Sequence, residues 1–144
     1  MKVYNLTKAY IQRIDDISRT SLELSLVDIK SIEENPFLLI IQSIIENSIK
    51  ISVYPLKKEK IVKIVFSSLN FTNEIIDKIS KILQNFQFIH TSGVLLIGKQ
   101  LYYECYLNLS LAEAKVMGLD ASLNKIKDIF KQIKVEEIGL IKSK

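Results

Sequence analysis

At 144 residues, with 48% hydrophobic and 25% charged side chains, the chain can bury one good core or two small half-domains, and it is not a disordered composition. Its 20 basic and 16 acidic residues leave a net charge of +4, and only Arg13 and Arg19 are arginines. The planar guanidinium fork favoured for base edges and phosphates is thus nearly absent, which argues against nucleic-acid binding, and the single Cys105 excludes an intrachain disulfide.

From the N-terminus, Met1-Lys2-Val3-Tyr4-Asn5-Leu6 lacks the apolar core of a signal peptide, and a cytoplasmic location is expected, which leaves the Asn-x-Ser/Thr triplets at Asn5, Asn70 and Asn108 without meaning. Residues 5–17 align with residues 70–82: Asn5, Thr7, Ile11, Ile14 and Ile17 match Asn70, Thr72, Ile76, Ile79 and Ile82. The match suggests a helix there, followed by a strand over Leu22–Ile29, a turn at Glu33-Glu34-Asn35-Pro36 and a returning strand over Phe37–Ile45. That apolar run is too short to span a bilayer. Lys50–Tyr54 is expected to pair with the strand starting at Ile61, through a hairpin at residues 55–60. Residues 1–56 then form a degenerate βαββ half-repeat ahead of a second domain at 57–144. The alternative is three helices at 5–18, 21–33 and 36–48 with a following hairpin, the outline of a winged helix, whose recognition helix would be too apolar to face phosphates.

The second half is plainer. Ile61–Ser67 is a β-branched run that predicts a strand. Asn70 or Thr72 can cap a helix carrying Phe71, Ile75, Ile79, Ile82 and Phe86 on one stripe. Phe88–Ile97 predicts a strand with a bulge at Gly93, and Gly98-Lys99-Gln100 a tight turn. Leu101–Leu109 alternates, with Leu101, Tyr103, Cys105, Leu107 and Leu109 on one face and Tyr102, Glu104, Tyr106 and Asn108 on the other. Ser110-Leu111-Ala112-Glu113 is a capping box. Its helix should break near Gly118, Asp120 should cap a second segment with Leu123, Ile126, Phe130 and Ile133 buried, and Val135–Ile141 should close the unit as a strand. Strand, helix, strand, strand, helix, strand is the order of an α+β, ferredoxin-like βαββαβ sandwich with both helices on one sheet face.

Catalytic chemistry finds little to work with. Gly93 to Lys99 has the outline of a phosphate loop, but Gln100 follows in place of Ser or Thr and the segment lies between strands. His90 is the only histidine, and with Cys105 it offers two ligands, too few for a metal site. Cys105 shares the apolar parity of its strand and reads as a core thiol. The carboxylate pairs Asp15-Asp16, Glu33-Glu34 and Glu136-Glu137 are adjacent in sequence, so on a helix or strand their side chains diverge. No enzyme class, cofactor or metal is therefore expected.

The element order in 60–142 resembles the ACT domain and the related amino-acid-sensing effector domains of archaeal transcription regulators, and the effector domain of nickel-responsive regulators. The resemblance implies an oligomer holding a small metabolite, such as an amino acid, near the loop after the first strand. In this chain that places Ser67, Ser68, Asn70 and Thr72 as ligand-binding residues. The acidic residue and glycine usual in that loop are absent, and Gly93–Ile97 stands where nickel-binding histidines would be, so nickel is set aside. If the helices cover one face of the sheet, Tyr102, Glu104, Tyr106 and Asn108 form an interface to another sheet, in the same chain or a second subunit of a homo-oligomer. The competing reading is a nucleic-acid-associated protein using Lys57, Lys58 and Lys60 with the Tyr102 and Tyr106 face, though the Arg/Lys-Gly-aromatic signature of RNA-recognition motifs is missing.

Overall fold

The computed structural model describes residues 9–26, 29–30 and 32–141. Contacts divide the chain into Met1–Lys30 and Ser31–Lys144, so residues 31–56 group with residues 57–144 and not, as the sequence suggests, with the N-terminal half.

The first unit corrects the half-repeat. Asn5 to Lys8 lie outside the described residues, and Ala9–Ile17 contains no helix. Leu22–Leu26 is not a strand; Val27 and Asp28 are not described. Local side-chain bonding competes with helix here. Asp16 Oδ1 accepts from both the backbone N–H and the hydroxyl of Ser18, at 2.9 and 2.7 Å. Gln12 Nε2 donates to Thr20 Oγ1 and to the Ser21 carbonyl, each at 2.9 Å. Ile11, Ile14 and Ile17 remain exposed, and a helix with an unburied apolar stripe has little to hold it.

In the second unit, a short 3-10 turn (Ile32–Glu34) leads into β1 (Phe37–Ile45) and β2 (Ser48–Leu56). These pair antiparallel from Phe37↔Leu56 to Ile45↔Ser48, around a two-residue turn with Glu46 at φ 51°. Phe37–Ile45 is a strand, as expected, which removes the alternative winged-helix outline, whereas Lys50–Tyr54 pairs with β1 and not with the Ile61 strand. Pro55 sits inside β2 opposite Leu38; a proline is tolerated there because β2 is an edge strand whose other side needs no donor.

The remaining elements are β3 (Ile61–Ser68), α1 (Asn73–Leu83), β4 (Phe88–Ile97), β5 (Gln100–Leu107), α2 (Leu111–Val116), α3 (Leu119–Asn124) and β6 (Gln132–Ile138). They build a four-stranded sheet in the order β4-β5-β3-β6, every neighbouring pair antiparallel. The protein is thus a mixed α+β structure with two antiparallel sheets and few helices. Thr72 caps α1, its Oγ1 accepting from Ile75 N at 3.2 Å. The Ser110–Glu113 capping box opens α2 with both reciprocal bonds made. Gly118, at φ 85°, separates α2 from α3 and occupies the position before Leu119; Asp120 lies inside the first turn and is not the cap. Ile126 and Phe130 are buried beyond the end of α3, and Ile133 belongs to β6, which ends at Ile138, short of the expected Ile141.

One core lies between the helices and the sheet, with Val62, Ile64, Phe66, Cys105 and Leu107 meeting Ile79, Leu83, Ala114, Leu119 and Leu123. A second, smaller cluster of Leu39, Ile41, Leu56, Ile61 and Tyr106 joins the β1–β2 hairpin to the opposite side of the sheet. Among the described residues no helix is long and apolar enough to cross a membrane.

Candidate functional site

The sheet face turned away from the helices carries the polar chemistry. Side chains alternate along β5 as its sequence predicts: Tyr103, Cys105 and Leu107 join the helix-side core, while Tyr106 joins the hairpin cluster. Tyr106 is only 7% exposed, because the β1–β2 hairpin of the same chain covers that end of the sheet.

Beside Tyr106, Lys63 on β3 forms an ion pair with Glu104 at 2.6 Å, both side chains about three-quarters buried. Its ammonium also sits 5.6 Å from the centre of the Tyr106 ring, a cation–π distance. Burial pulls the Lys63 pKa down, but the hydrogen bond to Glu104, the Glu104 charge and the neighbouring Tyr106 hydroxyl outweigh it, so the ammonium is held above its ordinary value. Burial raises the Tyr106 phenol, keeping it protonated.

His90 on β4 faces the hairpin. Its Nδ1 lies 2.6 Å from the Tyr54 hydroxyl of β2, and its ring meets Tyr54 and Tyr106 edge-on, with centroids 5.5 and 5.9 Å apart. Burial and then the Lys50 charge lower its pKa from the ordinary 6.5. A neutral Nδ1 accepts the Tyr54 proton, so this bond ties the hairpin to the sheet in the neutral state. Because the unfolded chain takes up the proton first, stability is full above pH 6.5 and falls as pH drops through and below that value. An imidazole NMR titration should show an inflection below 6.5, and a Tyr54→Phe variant, lacking the bond, should lose about 1 kcal/mol at neutral pH.

The β4 bulge lies next to these groups. Gly93 takes φ 71° and the register slips between Thr91 and Val94. Ser92 Oγ fills the gap, accepting from Glu104 N at 3.0 Å and donating to the Gly93 carbonyl at 2.7 Å. The bulge therefore fixes the backbone that carries Glu104.

The other predicted site residues are scattered. Tyr102 is half-buried on the same face as Glu104, opposite Leu95. Asn108 comes directly after β5; its Oδ1 is buried with no hydrogen-bond partner among the described residues, and its carbonyl accepts from Lys58 Nζ at 3.4 Å. At the β3–α1 turn, Ser67 and Ser68 are buried: Ser67 Oγ donates to the Gln132 carbonyl at 3.3 Å, and Ser68 Oγ accepts from Asn70 N at 3.3 Å. Asn70 and Thr72 are exposed, and Thr72 is engaged as the cap of α1. Of the basic run, Lys58 pairs with Glu113 at 2.8 Å and Lys60 with Glu137 at 3.9 Å.

Cys105 is fully buried and its thiol is pushed up to about 12, chiefly by burial. Thiol reagents at pH 8 should leave it unmodified in the folded protein and label it once urea is added. Among the described residues no three His, Cys, Asp or Glu side chains gather as a metal site.

The Tyr54–His90 contact was not visible in the sequence, since it depends on how the hairpin seats. The Lys63–Glu104 pair did leave a signal: one lysine interrupts a β-branched strand, and one glutamate sits at the polar parity of its neighbour. No family model, curated protein or solved structure matches the chain.

Proposed function

We propose that this chain is a non-catalytic protein-interaction module of ferredoxin-like design that assembles with copies of itself through sheet surfaces. The strand order β4-β5-β3-β6 with α1 between β3 and β4 and α2–α3 between β5 and β6 supports that design. One observation carries the functional reading. The polar groups between the sheet and the hairpin satisfy one another, Lys63 with Glu104 and Tyr54 with His90, while the hairpin's opposite face points large apolar side chains to solvent. With that chemistry spent internally, the outer hairpin face that exposes Ile and Leu is suited to protein contacts more than to turnover.

The metabolite-sensing form of the module finds less support, since Ser67, Ser68 and Thr72 already have hydrogen-bond partners within the chain. Light scattering of the full chain over a wide concentration range, with a thermal-shift screen of amino acids and nucleotides, tests the reading. Association without metabolite stabilisation is expected. A strict monomer stabilised by an amino acid, with the effect lost in Asn70→Ala, would replace it with the sensor.

A further inference from the structure

Where α1 ends, a cleft of about 310 Å³ opens between it and the α2–α3 turn, on the helix side of the sheet. Lys81 and Asn85 stand on the α1 wall, Ser122 and Lys125 on the other, and Phe86 with Met117 supplies an apolar floor. None of the four polar side chains makes a hydrogen bond or ion pair among the described residues, whereas Lys58, Lys60, Lys63, Lys78 and Lys134 each have a glutamate. No Asp or Glu lines this cleft; Asp77, one turn before Lys81, lines a neighbouring one with Ser80 and Gln84. Four other clefts of the described residues each carry a carboxylate on the wall, from Glu59, Asp120, Asp77 or Asp15. The cleft thus gathers two positive charges and no counter-charge.

We infer that this cleft binds a small phosphomonoester whose organic body is about one ring in size. The head follows from the walls. Two ammoniums, an amide N–H₂ and a hydroxyl offer donors in excess of acceptors. A phosphomonoester brings close to two negative charges at neutral pH and three acceptor oxygens, whereas a carboxylate brings half the charge. An amino-acid zwitterion fits poorly, because no carboxylate meets its ammonium. The body follows from the floor. Phe86 is fixed in the core at 4% exposure, and Met117, at 46%, is a flexible thioether that adapts to what lies on it. The volume lies at the lower end of ligand pockets, which leaves no room for both the base and the sugar of a nucleotide. This goes beyond the interaction-module reading and is independent of it, since the hairpin lies on the opposite side of the sheet.

The test is an NMR titration of the full chain with phenyl phosphate, followed at the backbone amides and at the methyl group of Met117, one of two methionines in the sequence. A saturable shift centred on Met117, Ser122 and Lys125 is expected, with dissociation in the millimolar range at low salt and weaker binding as salt rises. The exposed-site variants Lys81→Gln and Lys125→Gln should each keep the fold by circular dichroism and weaken binding by about fivefold. Met117→Ala should weaken phenyl phosphate and leave inorganic phosphate, the poorer ligand of the two, unchanged. Absence of a saturable shift overturns the site. Shifts spread equally over the exposed Lys57, Lys99 and Lys127 overturn it too, because they report a basic surface in general. Inorganic phosphate binding as tightly as phenyl phosphate removes the seat for the organic body, and lysine variants that bind like wild type remove the seat for the head; either result overturns the inference. Self-association is read separately by light scattering, so the module reading stands or falls on its own.

Discussion

Replacing Phe66 by alanine is expected to destabilise the second unit by about 3–5 kcal/mol. Phe66 is fully buried at the centre of β3, and its ring lies 4.9 Å from that of Phe130, which in turn contacts Phe71 at 5.8 Å. Removing it empties the point where the central strand meets the segment after α3 and the residue that leads into α1. Few neighbours can collapse into the space, since Ile64, Ile79 and Leu83 are themselves fixed in the same core. Urea unfolding followed by circular dichroism reads the loss as a lower midpoint with little change in slope. A cost below about 1 kcal/mol would mean that Phe66 does not sit between the strand and Phe130.

Tyr106→Ala should act differently, by freeing one element. The ring belongs to the cluster of Leu39, Ile41, Leu56 and Ile61, so its loss removes the floor on which the hairpin rests. The total cost is again about 3 kcal/mol, but its distribution is the informative part. Amide hydrogen exchange should accelerate over β1 and β2 well before it does in β3 and β5, because the hairpin and the main sheet are separate ladders. Tyr106→Phe keeps the ring and should leave the hairpin protected. Uniform acceleration across both sheets in the alanine variant would mean that they open together.

Much of the second half was legible because several local signals agreed. A β-branched run at Ile61–Ser67, the Thr72 cap, a glycine in a strand and the Ser110–Glu113 box each point to the same order of elements. The first half was legible only in part, for specific reasons. The strand at Phe37–Ile45 was expected, but its partner was not, because the turn at Glu46 that pairs it with β2 carries no glycine or proline to mark it. Pro55 reads as part of a turn, whereas an edge strand tolerates it. The likeness of residues 5–17 to 70–82 rested on isoleucines, and isoleucines make a helix only where there is a surface to cover: Ile79 has the sheet, and Ile14 is exposed. The site obeys the same logic. The Tyr106 face was legible from alternation, but its cover by the chain's own hairpin was not, since that contact joins segments far apart in sequence.

The hairpin has an order problem during synthesis. Residues 37–56 leave the ribosome ahead of every strand that will support them, and no backbone bond between the two sheets, among the described residues, can catch them later. Until β3 and β5 have emerged with Ile61 and Tyr106, the newborn ribbon has no sheet to rest on, and its inner apolar side chains stay uncovered.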